Sequence, residues 1–269
     1  MSFDSKFSNL GQPNKIWAVS AINGDVARLV EMHKILFDRI TPGDRLVYTG
    51  NYLCGPLAQT AETLDEMLYF RRTLLARPGM MAQDFTYLRG IQEELWNKLL
   101  HLQLMPSPIQ LIEWMADKHP HMDKILRAYG GNLQDGRRFA REGIMGLTRW
   151  TTGLKTVIRR HPGHDKLFSV MRRAAFTEQP SSNDNNILFV HAGIDPQVPL
   201  VSQGDNFWWA SQQFSQMSSA YHPFKLVVRG FDPERRGVQV GPVTVSLDGD
   251  SLICAEMSGM GDMLDIIAA

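Results

Sequence analysis

Cysteine is scarce in this chain. Cys54 and Cys254 are the only two in 269 residues, so the sequence holds neither a disulfide framework nor a paired zinc-ligand spacing. Net charge is missing as well: 28 Lys and Arg face 28 Asp and Glu, and no global positive field favours nucleic acid or an anionic membrane. Long hydrophobic runs are lacking too. Nothing approaches the roughly 18 uninterrupted apolar residues of a membrane span, and Met1 to Lys15 is polar, without the apolar centre of a signal peptide. These absences predict a cytoplasmic protein with no nucleic-acid or membrane partner. What remains is 43% hydrophobic and 21% charged, which separates the chain from disordered, collagen-like and coiled-coil classes. Its length allows one large core.

The first part, about Ile16 to Leu88, alternates strand and helix signals. Ile16 to Ile22 is a short apolar run that ends at Asn23-Gly24-Asp25, a turn with an N-cap residue. Val26, Leu29, Val30, Phe37 and Ile40 follow at helical spacing until Thr41-Pro42-Gly43-Asp44. Arg45 to Thr49 predicts the next strand, Ala58 to Ala76 a helix, and Phe85 to Leu88 a third strand. Each strand ends in a glycine- or asparagine-bearing loop, the arrangement that places a site at strand ends. The second part, about 93–178, is helical by pattern, with punctuation at Pro106-Ser107-Pro108, Gly130-Gly131 and His161-Pro162-Gly163. The third part is rich in strands. Ile187 to Val190 runs into His191-Ala192-Gly193, and Lys225 to Val228 runs into Arg229-Gly230. Val243–Leu247 and Leu252–Met257 flank Asp248-Gly249-Asp250, which predicts a hairpin. Gln179 to Asn186 is a polar connector, and no internal repeat is present.

Five strand-end loops carry a resemblance when taken in order. They are Ser20-Ala21-Ile22-Asn23-Gly24, Gly50-Asn51-Tyr52-Leu53-Cys54-Gly55-Pro56, Leu88-Arg89-Gly90-Ile91-Gln92-Glu93, Phe189-Val190-His191-Ala192-Gly193 and Val227-Val228-Arg229-Gly230-Phe231-Asp232-Pro233. Their order and spacing resemble the calcineurin-like metallophosphoesterases, in particular the bacterial serine/threonine phosphatase and diadenosine-tetraphosphatase branch. That branch reads G-D-x-H-G, G-D-x-x-D-R-G-P, L-R-G-N-H-E, F-V-H-A-G and V-V-H-G-H-T-P at these places. The resemblance implies a single α/β domain over 1–269. Its fold would be a four-layer α/β/β/α sandwich of two facing mixed sheets, with a helical insertion about 93–178.

The family's chemistry uses two divalent ions roughly 3.5–4 Å apart that clamp a phosphoryl group and generate hydroxide. Hard ions of this kind need anionic oxygens and imidazoles. By the resemblance, the ligand positions of this chain have lost them. Ala21 stands for an aspartate, Asn23 for a histidine, Asn51 for the bridging aspartate, Ile91 for an asparagine and Phe231 for the final histidine, and His191 alone is kept. Gln92 stands where a histidine would act as general acid, and an amide delivers no proton. Cys54 falls in the aspartate–arginine region of the second block, one residue short of the family pattern, while Arg89, Gly90 and Glu93 match the third.

The resemblance and these losses together predict a catalytically inactive pseudophosphatase with a binding or regulatory role. It would have no catalytic residue, no metal and no cofactor, and its partners would be proteins or a further copy of the chain. One alternative is an active phosphoesterase, a protein serine/threonine phosphatase or a dinucleoside polyphosphate hydrolase. That enzyme would hold manganese, iron or another divalent pair through His191, Asn23, Asn51 and acids such as Asp25. Another is a metal-free sensor of a phosphorylated metabolite, with Arg229, Arg89 and His191 as the anion-binding groups.

The remaining features have plainer readings. Asparagine suits turns and left-handed backbone, a lone strand-end histidine is commonly hydrogen-bonded structure, and Arg229 is as well explained by an internal carboxylate. Cys54 is expected to be an inert buried thiol. His119, His121, His161 and His164 lie beside proline and read as surface loops, and the pairs Arg71-Arg72, Arg172-Arg173 and Arg235-Arg236 read as solvated faces. In Phe207-Trp208-Trp209 one tryptophan is expected to be exposed and available to an interface, because two adjacent indoles seldom share one core face.

Overall fold

A computed structural model describes residues 6–53, 59–178 and 186–269. Cys54 and most of the polar connector lie outside the described residues. After a short strand β1 (Phe7–Asn9), the chain enters β2 (Lys15–Val19), whose side chains alternate between two buried faces. Ile16 and Ala18 join one apolar cluster, Trp17 and Val19 another. A strand apolar on both faces requires a packed layer on each side.

Asp25 starts α1 (Val26–Arg39), its carboxylate accepting the Arg28 N–H at 3.1 Å. Leu29, Met32, His33 and Leu36 form the buried stripe of that helix. Then come β3 (Arg45–Tyr48), α2 (Thr60–Leu75) and β4 (Phe85–Tyr87), with β2, β3 and β4 paired in parallel. These are two successive strand–helix–strand crossovers, as parallel pairing demands.

The helical stretch comprises α3 (Ile91–Leu100), α4 (Pro108–Lys118), α5 (His121–Ala128), α6 (Leu133–Arg141), α7 (Ile144–Ile158) and α8 (His164–Val170). It ends earlier than the pattern predicts. Ala174–Phe176 forms β5, which pairs in parallel with β1 and antiparallel with β6 (Asn186–Val190). His164 also departs from expectation. It is fully buried rather than in a surface loop, held by the Tyr129 hydroxyl at 2.9 Å and Asp65 at 3.1 Å.

Two short helices, α9 (Asn206–Trp209) and α10 (Ser211–Ser215), precede β7 (Phe224–Arg229), β8 (Gln239–Val240) and β9 (Thr244–Ser246). The chain closes with β10 (Ile253–Ser258) and β11 (Met263–Ala268). One sheet has the order β1-β5-β6-β7-β9-β8, the other β11-β10-β2-β3-β4. The hairpin expected around Asp248-Gly249-Asp250 does not form. β9 pairs with β7 and β8, whereas β10 crosses to the other sheet and pairs with β2 and β11.

Ile16, Ala18, Val47 and Ala255 of one sheet pack against Ile187, Phe189, Val228 and Val245 of the other. The far face of the β2 sheet carries Trp17, Val19 and Tyr48 under the helices, and the far face of the β6 sheet carries Leu188, Val190 and Val227 under Phe207, Trp208 and Phe214. This is the four-layer α/β/β/α sandwich of two mixed sheets that the resemblance implied. Among the described residues no helix is long and apolar enough to cross a membrane.

Candidate functional site

The loops that follow β2, β3, β6 and β7 are tied to one another by backbone hydrogen bonds, and the loop after β4 joins them through side chains. Ala21 N–H donates to Gly230 O at 2.9 Å, Asn23 N–H to Asn51 O at 2.6 Å, and the N–H groups of Gly230 and Phe231 to His191 O at 3.2 and 2.9 Å. His191 Nδ1 lies 2.7 Å from Thr49 O. The approach is close enough to require glycine. Gly50 has φ +107°, and a Cβ there would lie 2.6 Å from Gly90 N and 2.8 Å from His191 Nδ1.

Glu93 fastens the second loop to the third. One carboxylate oxygen accepts the N–H of Asn51 (2.9 Å) and of Gly90 (2.8 Å), and the other accepts the N–H of Tyr52 (2.8 Å). Burial pushes its pKa above the usual glutamate value, with those three donors pulling the other way. Gln92 adds a parallel tie, its Oε1 accepting Leu53 N–H at 3.0 Å. Ile91, half-buried, is the first residue of α3 and packs its side chain against the apolar clusters.

Asn23 and Asn51 take left-handed backbone, φ 53° and 57°, a conformation asparagine tolerates better than most side chains. Asn51 Oδ1 accepts the Gln92 N–H at 3.2 Å, and Asn23 Nδ2 lies 3.5 Å from Ala21 O. Ala21 is buried with no polar atom to offer.

Phe231 lies flat on His191, ring centroids 5.0 Å apart and planes within 6°. His191 is wholly buried, and burial pushes its pKa down to about 4 against the opposing Thr49 carbonyl. The ring is therefore neutral, Nδ1–H donating to Thr49 and Nε2 carrying a lone pair. Among the described residues that Nε2 has no hydrogen-bond partner, a cost on the order of 1–3 kcal/mol.

The sign of the pH effect follows from this. A depressed histidine stabilises the fold above its ordinary value of 6.5, and the contribution is lost as pH falls through about 4. Denaturant titrations across that window should show stability declining with acid. His191→Gln, which does not titrate, should flatten the decline by up to about one proton's uptake. An unchanged slope in that variant would contradict the neutral-ring assignment.

A dinuclear centre needs several anionic oxygens and imidazoles free to turn toward the ions, and the residues at this junction do not fit one. His191 offers a single nitrogen, the Asn51 oxygen already accepts a backbone N–H, and the Glu93 carboxylate faces three backbone donors. Among the described residues, no group of three or more His, Cys, Asp or Glu is placed to hold an ion.

Arg229 is buried at the end of β7. It is paired with Asp232 at 2.8 Å, bonded to Ser246 Oγ at 3.0 Å and Ser211 Oγ at 2.7 Å, and lies over the Phe214 ring. Asp232 is also held by Arg236, and its N–H donates to Asp248 at 2.9 Å. The guanidinium expected to meet an external anion is thus bound within the fold. The side chain of Arg89 turns elsewhere, pairing with Glu94 at 3.0 Å and lining a small cleft that includes neither His191 nor Arg229. Of the three proposed anion-binding groups, Arg89 and Arg229 are thus held by different carboxylates and His191 is buried against Thr49 O. The sequence alone assigns no part to Thr49 or Asp232. Asp232 has a readable signal, since it stands three residues after the arginine it pairs with.

Trp208 is buried and donates its indole N–H to Arg89 O at 2.8 Å. Trp209 is 43% exposed and sits edge-on to Trp114, centroids 6.1 Å apart, with His119 alongside. Trp208→Ala is expected to cost about 3–5 kcal/mol of stability and Trp209→Ala under about 1, measured by denaturant midpoints. Equal losses would contradict this placement. Cys254 is buried, and desolvation pushes its thiol pKa far up, leaving it inert.

No family model matches the chain, and no curated protein matches it. Solved structures with a similar course of chain include a protein provisionally assigned as a diadenosine tetraphosphatase. It is 16% identical, the alignment covers 98% of each chain, and the TM-score is 0.49. Another is a protein serine/threonine phosphatase from Saccharomyces cerevisiae with similarity to human phosphatase PP5. It is 12% identical over 93% of this chain and 76% of that one, with a TM-score of 0.45. At these values the likeness bears on no activity, and the fold rests on the strand order and packing above.

Proposed function

We propose that this chain is a non-hydrolytic binding protein built on a metallophosphoesterase-like scaffold. The observation that carries the reading is the state of Asn51, which stands where the resemblance places the bridging carboxylate. It is a neutral amide, and its Oδ1 already accepts the Gln92 N–H at 3.2 Å. Glu93, whose oxygens are engaged by the backbone N–H groups of Gly90, Asn51 and Tyr52, ties the two loops together. Asn23, Asn51 and Phe231 serve the same end, the first two as left-handed loop residues and the third as an apolar lid on His191. With turnover gone, the folded surface is what remains to be used, and exposed Trp209 is where a protein partner would find an aromatic anchor.

The test is elemental analysis of purified protein, with p-nitrophenyl phosphate and dinucleoside polyphosphate assays in added manganese. The reading predicts sub-stoichiometric metal and no turnover above the protein-free blank. Stoichiometric metal together with turnover lost in His191→Ala would overturn it. A second reading, an active phosphoesterase with an atypical metal arrangement, has one observation in its favour, the Nε2 of His191, which has no partner among the described residues. The same assays separate the two.

A further inference from the structure

Three cationic segments converge at the edge where the two sheets meet. Arg172 N–H donates to Tyr87 O at 2.9 Å, and Arg89 N–H to Arg172 O at 2.7 Å. Arg173 N–H donates to Lys6 O at 2.8 Å. A parallel bridge between Leu88 and Arg172 joins the end of β4 to the start of β5, and so links the sheets. The backbone therefore holds Lys6, Arg89, Arg172 and Arg173 together around a cleft of about 350 Å³, with Ser169 and Met171 completing the wall.

A chain with no net charge gains nothing from placing three arginines around one small cleft unless something there answers them. Inside the fold, little answers the arginines. Arg89 has Glu94 at 3.0 Å. Among the described residues, neither Arg172 nor Arg173 has a carboxylate partner. Arg172 reaches only the adjacent Met171 O, at 3.4 Å, and Arg173 lies over the Trp208 ring at 5.4 Å. Trp208 is itself fixed to Arg89 O, so the Arg173 guanidinium rests on a buried, hydrogen-bonded platform. Planar guanidinium forks held in this way suit an anion with several acceptor oxygens on one centre.

We infer that the Lys6–Arg89–Arg172–Arg173 cleft binds a phosphomonoester or inorganic phosphate dianion. The site is separate from the His191 junction and does not depend on whether that junction hydrolyses anything. Its volume, at the low end for ligand pockets, accommodates a phosphoryl group and a small attached moiety. A phosphorylated side chain and a small phosphorylated metabolite share this chemistry.

The experiment modifies arginines of the intact wild-type protein with phenylglyoxal and maps them by peptide mass spectrometry. It is run with inorganic phosphate, phosphoserine, a phosphoserine peptide, or chloride at matched ionic strength. Phosphate should protect Arg172 and Arg173 and leave exposed Arg28 unprotected, while chloride protects none of them. Stronger protection by the peptide than by phosphoserine would identify a protein source, and equal protection a small-molecule one. Calorimetry with inorganic phosphate should show affinity lowered about tenfold or more in Arg172→Gln/Arg173→Gln, with the far-ultraviolet circular dichroism unchanged. Equal modification of Arg172 and Arg173 with and without every phosphate probe would overturn the inference. That comparison uses wild-type protein, so it holds whether or not the variant folds.

Discussion

Glu93→Gln is expected to lower the stability of the chain by about 3–5 kcal/mol, roughly a 10 °C fall in midpoint for a domain of this size. The carboxylate accepts three buried backbone N–H groups, two on one oxygen and one on the other. Glutamine has a single acceptor oxygen. Whichever way its amide turns, an NH2 group meets at least one backbone donor, and that donor is left buried without a partner. The loss is a structural one. Urea titrations should show the lower midpoint with an unchanged slope, since the same surface is exposed on unfolding. A midpoint within about 1 kcal/mol of wild type would mean that the loops after β3 and β4 are held by something other than this carboxylate.

Gly50→Ala is expected to have a comparable effect by a different cause. The residue has φ +107°, where an L side chain is strained. Its added Cβ would also lie 2.6 Å from Gly90 N, 2.7 Å from Gly90 Cα and 2.8 Å from His191 Nδ1. The obstacle is backbone and a buried ring, neither of which moves cheaply. A loss of more than about 3 kcal/mol, or failure to accumulate as soluble protein, is the expected outcome. Gly153→Ala is the natural control. Gly153 is a helical glycine whose added Cβ meets nothing within 4 Å, so alanine there should be neutral or stabilising. If Gly50→Ala behaved like that control, the close meeting of three loops at His191 would be refuted.

Much of this is readable in the sequence because the informative signals are local. Ile16 to Val19 alternates between two apolar faces, Asp25 caps the helix that follows, and glycine or asparagine marks the strand ends. The family resemblance carried by five such junctions implies the sandwich. Signals that depend on distant partners are not readable. Asp248-Gly249-Asp250 is a turn sequence, but a turn does not say which sheet the next strand joins, and β10 leaves for the sheet of β2. His164 reads as a loop residue beside proline until Asp65 and Tyr129, 99 and 35 residues away, close over it. β1 and β5 are only three residues each and carry little periodicity, so the pairing that sets Arg172 and Arg173 beside Arg89 has no trace in the sequence. Arg229 is legible in part, because its partner Asp232 is three residues on. The depth of its burial is not.

The central claim is that the junction of strand-end loops lacks the donors to hold a pair of divalent ions. Anomalous diffraction at the manganese edge, from crystals grown with excess manganese, tests it most directly. The account predicts no anomalous peak within coordinating distance of His191 Nε2 and an Asn51 oxygen still accepting the Gln92 N–H. A pair of manganese peaks there, with Glu93 or the asparagines turned to meet them, would contradict it.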